Sequence, residues 1–248
     1  HRWLLGFLDF TQAFHSGDQI QRLLFATQPR EGIPGLAPSQ LLKLEKVCHG
    51  LTDGPLAWFI HLKKFLTEKL HYQQSLADPC IYYKINENGK LSGVIAVASD
   101  DLLHGGDEAH LEAMEEIKKN YKLGKYQFGK GKFTGKYFEQ QEDFSIVINQ
   151  AHYVAEKLFD ISLEKSRKRQ RFSICTDKEI SNLRASIGAL SWLSKESRPD
   201  LAGRVALLQQ AFPKPRVKDL IEANAITTEA RRYPDSGIKI MPIEPQNL

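Results

Sequence analysis

The chain has 248 residues, 42% hydrophobic and 26% charged, which is the balance of an ordinary soluble globular protein long enough for one large core or two smaller ones. A net charge of +4 is a mild basic excess that suits a polyanionic partner without requiring one. The longest apolar run, around Val94 to Ala98, falls far short of the ~20 residues of a membrane span, and three scattered cysteines with no CxxC pattern read as reduced, buried thiols of an intracellular protein, not as disulfides or zinc ligands.

In chain order, Trp3 to Phe10 reads as a short apolar strand ending on Asp9, and Gln19 to Ala26 as a second extended stretch. Glu31 to Ser39 holds Gly32, Pro34, Gly35 and Pro38 and reads as a loop. The spacing of Phe59, Leu62, Phe65 and Leu70 predicts a helix from Pro55 to Leu70, with Asp53 as its cap. Cys80 to Ile85 and Leu91 to Ala98 form a predicted hairpin joined by Asn86-Glu87-Asn88-Gly89. The second strand runs into Ser99-Asp100-Asp101, and apolar character resumes at Leu102-Leu103, so two carboxylates sit at the tip of a further tight hairpin.

Asp107 can cap a helix with Leu111, Met114, Ile117 and Tyr121 on one face. The lysine-rich stretch Lys118 to Lys136 and the run Arg167-Lys168-Arg169-Gln170-Arg171 read first as solvated surface, with phosphate contact or nuclear targeting as the functional alternative. Phe133 to Glu139 and Ser145 to Asn149 suggest a hairpin, and Ala151 to Asp160 a short helix. Thr176-Asp177-Lys178-Glu179 is a capping box opening a helix with Ile180, Leu183, Ile187 and Leu190 inward. Pro199 starts another, carrying Leu201, Val205, Leu208 and Phe212. Gly237 to Ile240 is an incipient strand with no evident pairing partner. Hairpins mixed with helices, without regular βαβ alternation, indicate an α+β protein built on an antiparallel sheet.

Asp9, Asp100 and Asp101 are the candidate chemical residues. Each lies at the end of a strand or in the turn beside it, and adjacent strands run about 5 Å apart. Two such ends side by side would bring Asp9 and Asp100 within reach of shared Mg²⁺ ions, which in two-metal sites stand roughly 3.5–4 Å apart. On residue type alone, an Asp pair in a turn reads more simply as turn acids bonding their own backbone, and Asp9 as a solvated strand end.

The order of several motifs bears on that choice. Leu8-Asp9-Phe10-Thr11-Gln12-Ala13-Phe14-His15-Ser16-Gly17-Asp18 resembles the block LDVxxAFLNGD of copia-type retrotransposon reverse transcriptases, which Gln28-Pro29 closes. Leu44 to Trp58 is similar to LKKSLYGLKQAPRLW, Asp78-Pro79-Cys80-Ile81-Tyr82 to DPCLY, and Ala98-Ser99-Asp100-Asp101 stands at the YVDD turn. Phe133-Thr134-Gly135 resembles FLG, Asn149-Gln150 through Tyr153 resembles SQxxYI, and Arg184 to Leu190 followed by Arg198-Pro199-Asp200 resembles YRSxxGSLxYLxxxTRPD. Seven blocks stand in family order across nearly the whole chain.

The resemblance implies an RNA-directed DNA polymerase region of a Pol polyprotein, with a right-hand palm, a helical thumb and connection, and truncated fingers. Residues 1–125 would be the palm with partial fingers, 126–233 the primer-grip hairpin, thumb and connection, and 234–248 the lead-in to an RNase H domain. Asp9, Asp100 and Asp101 would be catalytic and would ligate two Mg²⁺ ions, with Mn²⁺ as the substitute. Phe14 would stack under the incoming sugar and exclude a 2′-hydroxyl; Ala13 would offer backbone to the nucleotide and Asp53 would lie in its loop. Ser99 and Gly135 would face primer and template. The implied partners are an RNA template, a DNA primer, dNTPs, and the RNase H and integrase of the same polyprotein, in a cytoplasmic virus-like particle with nuclear access as an alternative. No membrane partner is implied.

The sequence also departs from the family. Ala98-Ser99 replaces Tyr-Val, which weakens the expected hold on the primer end. Asp53 replaces a Gln that can bond the nucleotide; an Asp would instead repel its phosphates or simply cap the next helix. His49 replaces the tyrosine of LYG. The chain opens at His1, directly before an apolar run, and reads as a piece of a longer polypeptide whose basic fingers lie upstream, so alone it is expected to polymerise poorly. A decayed or co-opted fragment that binds nucleic acid without catalysis is the second reading, and a two-metal nuclease the third.

Overall fold

A computed structural model of the chain describes residues 2–11, 13, 22–47 and 50–242. The chain divides into two compact units, His1–Phe128 and Gly129–Leu248. Both mix helices with antiparallel sheet.

The first unit is built on six strands: β1 (Gly6–Phe10), β4 (Gln73–Gln74), β5 (Ile81–Ile85), β6 (Leu91–Ala98), β7 (Asp101–Gly106) and β8 (Leu123–Phe128), in the order β4-β5-β6-β7-β1-β8. A separate two-stranded ribbon pairs β2 (Phe25–Ala26) with β3 (Leu42–Lys43). Between its strands the Gln28 side chain holds the Gly/Pro loop, its amide donating to the carbonyls of Ala37 and Gln40 and its oxygen accepting from the Ile33 N–H.

Two helices cover one sheet face: α1 (Gly54–Lys64, running on as a π turn over Phe65–Lys69) and α2 (Glu108–Asn120). Strand alternation sends Leu8, Phe10, Ile95, Val97 and Leu102 to that face, where they meet Trp58, Leu62 and Leu66 of the first helix and Met114 and Ile117 of the second. Each such side chain removed from water contributes about 1.5–3 kcal/mol. Asp107 caps α2 as expected, accepting from the His110 N–H. Its buried stripe is His110, Ala113, Met114 and Ile117; Leu111, expected inward, is 40% exposed, one step (~100°) off that stripe. The strand β8 was not expected from its lysine-rich stretch. It forms the sheet edge beside β1, where a polar sequence is suitable.

The second unit has a four-stranded sheet of β9 (Lys130–Phe133), β10 (Lys136–Gln140), β11 (Ile146–Asn149) and β12 (Ile238–Ile240), in the order β12-β11-β10-β9. Phe133 to Glu139 is therefore not one strand: Thr134-Gly135 turns the chain inside it. The Gly237–Ile240 segment does find a partner, pairing Ile238 to Ile240 with Ile148 to Ile146. Gly237 makes this approach feasible, since a Cβ there would stand 2.0 Å from the Ile148 carbonyl oxygen.

The helices of this unit are α3 (Ala151–Lys157), α4 (Lys165–Arg169), α5 (Asp177–Glu196), α6 (Ala202–Gln209, after a 3₁₀ turn at Pro199–Leu201) and α7 (Val217–Arg232). The Thr176–Glu179 capping box opens α5. Leu183, Ile187 and Leu190 pack with Leu201, Val205 and Leu208 and with Leu220, Ala223 and Ile226 of α7. In the basic run, Arg167 makes a two-pronged ion pair with Glu179, while Lys168, Arg169 and Arg171 remain exposed. Cys175 is buried and Cys80 only partly so; Cys48 lies outside the described residues. Among the described residues no helix is long and apolar enough to cross a membrane.

Candidate active site

The strands β6 and β7 are joined by a two-residue turn, Ser99-Asp100, with Ala98 opposite Asp101. The strand β1 lies on the other side of β7, and its Asp9 is the direct cross-strand partner of Asp101. Direct partners point to the same face with Cβ atoms about 5 Å apart. Leu8, Phe10 and Leu102 take the core face, so Asp9 and Asp101 share the opposite one. Both are partly exposed, and Asp100 in the turn is exposed.

Three contacts fix this corner. The Phe10 N–H donates to the Asp100 carbonyl at 2.9 Å, tying the turn to β1. The Trp58 indole Nε1 donates to the Ser99 carbonyl at 2.8 Å. On the far side of β1, a Cβ added to Gly124 would meet the Asp9 Oδ2 at 2.3 Å, so the Asp9 carboxylate lies across a gap that only glycine leaves. The β1–β8 register shifts between Leu8 and Phe10, where β8 carries an extra residue opposite Asp9. Ser99 has φ +57°, a positive value at the first central position of a two-residue hairpin, where glycine is the usual occupant of a type II′ turn.

The other expected site residues are placed as follows. Ala13 is buried in the first unit's core. Phe14 lies outside the described residues. Asp53 occupies the N-cap position of α1, but its side chain makes no capping bond. It accepts instead from Arg22 at 2.9 Å in an exposed ion pair. Its αR backbone (φ −89°, ψ −5°) is not the extended conformation of a capping residue, so the cap reading is corrected. Gly135 has φ +76° and follows Thr134 at φ +51° in the β9–β10 turn of the second unit.

Among the described residues, no group of three or more His, Cys, Asp or Glu side chains is arranged to hold a metal ion. Magnesium seldom needs such a cage, because it takes one or two carboxylates and completes its shell with water and substrate phosphate. Asp9 and Asp101 are hard oxygen donors of that kind, paired in register on the face away from the core, with the Asp9 Oδ2 on the β8 side of β1 beside Gly124. Two residues of this corner carried no role from sequence. Gly124 gave no signal among lysines. Trp58 did give one, since a buried indole seeks an acceptor for its N–H.

The family model described as reverse transcriptase (RNA-dependent DNA polymerase) matches residues 1–170. A retrovirus-related Pol polyprotein from transposon RE1 of Arabidopsis thaliana is 22% identical over 246 residues, 95% of this chain and 16% of that protein. A putative transposon Ty5-1 protein of Saccharomyces cerevisiae is 23% identical over 219 residues, 82% of this chain and 68% of its own length. A retrovirus-related Pol polyprotein from transposon TNT 1-94 of Nicotiana tabacum is 20% identical over 226 residues, 84% of this chain. The chain thus spans only 16% and 17% of the two Pol polyproteins it matches.

Proposed function

The chain belongs to the reverse transcriptase (RNA-dependent DNA polymerase) family, and on that footing we propose that it is the polymerising region of a copia-type Pol polyprotein, adding dNTPs to a primer 3′-hydroxyl on an RNA template. The observation that carries the reading is the pairing of Asp9 with Asp101 on the sheet face away from the core, with Asp100 in the adjoining turn. In this reading the first unit is the palm with part of the fingers, and the second holds the primer-grip hairpin, thumb and connection.

Asp9, Asp100 and Asp101 would hold two divalent ions, Mg²⁺ or Mn²⁺. Bound there, such ions supply the Lewis acidity that lowers the pKa of the primer hydroxyl and offsets the charge of departing pyrophosphate. The chain's own part is placement. Strand pairing sets Asp9 against Asp101, the turn presents Asp100, and Gly124 leaves the Asp9 carboxylate its room. The backbone at Ala13 and the ring of Phe14 would border the incoming sugar. Asp53 would sit beside the nucleotide with its charge already met by Arg22, which blunts its repulsion of phosphates. Ser99 and Gly135 would contact primer and template. RNase H and integrase of the same polyprotein are the proposed partners.

The test is Mg²⁺-dependent primer extension on an RNA template, assayed with the chain itself and with the chain joined to any coding sequence that precedes it. Asp100→Asn is expected to abolish extension, and unchanged activity would overturn the assignment. Template–primer binding that survives Mg²⁺ removal and Asp9→Asn, with no extension by the parent, would favour a non-catalytic nucleic-acid-binding remnant.

A further inference from the structure

Asp100 is exposed, and the backbone on either side of it sets the aim of its side chain. The peptide plane before it ends in the Ser99 carbonyl, which accepts from the Trp58 indole at 2.8 Å. The plane after it ends in the Asp100 carbonyl, which accepts from the Phe10 N–H at 2.9 Å. The φ and ψ of Asp100 are the rotations between those two planes, so two hydrogen bonds, one on each flanking plane, set where its Cβ points. One comes from the sheet. The other comes from a helix 41 residues away in sequence.

The Trp58 donor is itself held. Its ring is 2% exposed, with Phe10 edge-on at 5.1 Å, Tyr121 edge-on at 5.7 Å and His61 stacked at 5.9 Å between ring centres. An indole can only donate, so a buried one has a single direction to offer. The residue it grips is Ser99, at φ +57°. A non-glycine residue keeps such a conformation only where its surroundings over-determine it.

The geometry points to Trp58 as a positioning residue that clamps the Ser99-Asp100 turn and thereby aims the Asp100 carboxylate. This rests on the reading of Asp100 as a metal ligand only for its chemical consequence; the clamp itself is a property of the turn. Trp58 touches neither ion nor substrate, and acts through the Ser99 peptide.

The test uses the full chain with Trp58→Phe, and with β-(3-benzothienyl)alanine at position 58, which keeps the bicyclic ring and exchanges only the N–H for sulfur. Leu66→Ala in the same core is the comparison for plain loss of stability. Exchange of the Phe10 amide hydrogen, bonded to the Asp100 carbonyl, reports opening of the turn without any metal. Loss of the free Mn²⁺ signal in electron paramagnetic resonance reports ion uptake.

Removing one hydrogen bond of this kind is expected to speed Phe10 exchange about three- to tenfold and raise the Mn²⁺ midpoint by a similar factor. Leu66→Ala should lower global stability and leave the midpoint where it was. A Phe10 rate within about twofold of the parent in the benzothienyl variant overturns the clamp. So does an equal midpoint shift in Leu66→Ala, which would reduce Trp58 to packing. If the parent takes up no Mn²⁺ at all, the metal-site reading fails, and the exchange rates alone decide the clamp.

Discussion

The Ser99-Asp100 turn of the first unit and the Thr134-Gly135 turn of the second are both two residues long and both join antiparallel strands. They close differently. In the second, positive φ falls on both central residues and glycine takes one of them, the type I′ pattern that suits the twist of a hairpin. In the first, positive φ falls on a serine, and the turn is gripped by an indole from a helix and an amide from a strand. The same contrast runs through the units. The first makes room for polar groups, with Gly124 opposite the Asp9 carboxylate and Gly6, Gly93 and Gly106 opposite two buried imidazoles. The second buries a mostly aliphatic core between capped helices. The second unit has its own positive-φ residues, Thr134 and Phe144, and its own close glycine approach at Gly237, so what sets the first turn apart is the pair of hydrogen bonds that grips it from a helix and a strand.

Acid should separate the units most strongly. His104 and His110 share a hydrogen bond at 2.9 Å, and Tyr72 meets the other nitrogen of His110 at 2.7 Å. Burial holds the His104 pKa down to about 3, with His110 and Lys118 adding to the effect. Burial also holds His110 at about 4, with Lys84 lowering it and Asp107 opposing. Both rings therefore stay neutral when folded, while the unfolded chain gains protons below the ordinary value of 6.5. Stability is full above that pH and is lost as pH falls from 6.5 towards 4 and 3, at about 1.4 kcal/mol per pH unit for each proton. In the second unit, the hydrogen-bonded Arg167 holds Glu179 at about 2 against an ordinary 4.5, so its contribution disappears only between 4.5 and 2. Amide exchange in β6 and β7, corrected for intrinsic pH dependence, should accelerate in the pH interval where α5 and α7 stay protected. Loss of protection at one common pH would break the contrast.

Gly124→Ala comes next in size. The added Cβ would stand 2.3 Å from the Asp9 Oδ2, so the carboxylate or the strand must move. Misplacing a reacting group by about 1 Å costs on the order of a hundredfold in rate, and that loss of primer extension is expected with little change in melting temperature. Extension within a few-fold of the parent would mean that Asp9 tolerates a shift no metal ligand should.

Much of this corner was legible in sequence. Short apolar and β-rich runs marked β1, β5 and β6, the Asn86–Gly89 turn joined the hairpin, and Asp107 and Thr176 announced α2 and α5. Which strand ends would meet was not legible, because periodicity names a face and not a partner. Asp9 opposite Asp101, Trp58 under Ser99, Arg22 beside Asp53 and β12 along β11 are all contacts between distant segments. The helix α7 escaped notice for another reason. Its buried stripe includes Ala223, Thr227 and Ala230, a weak signal until larger neighbours cover it. The ordered motif blocks pointed to a family that periodicity could not name, and the match over residues 1–170 bears out that family.

Gly135→Ala is the smallest effect and the one that most sharpens the comparison of the two turns. At φ +76° an alanine costs about 1 kcal/mol in backbone strain, and nothing lies within 4 Å of the position its Cβ would take. If this turn only reverses the chain, melting should fall by a few degrees and extension should fall far less than in Gly124→Ala. If Gly135 lies against the primer, the methyl group meets nucleic acid instead of open space. Extension then falls by tenfold or more through a weaker KM for template–primer, while the Mn²⁺ midpoint stays put. The two turns would then both be functional, and the contrast would lie in what each holds: the first an ion-binding carboxylate, the second the strand to be copied or extended.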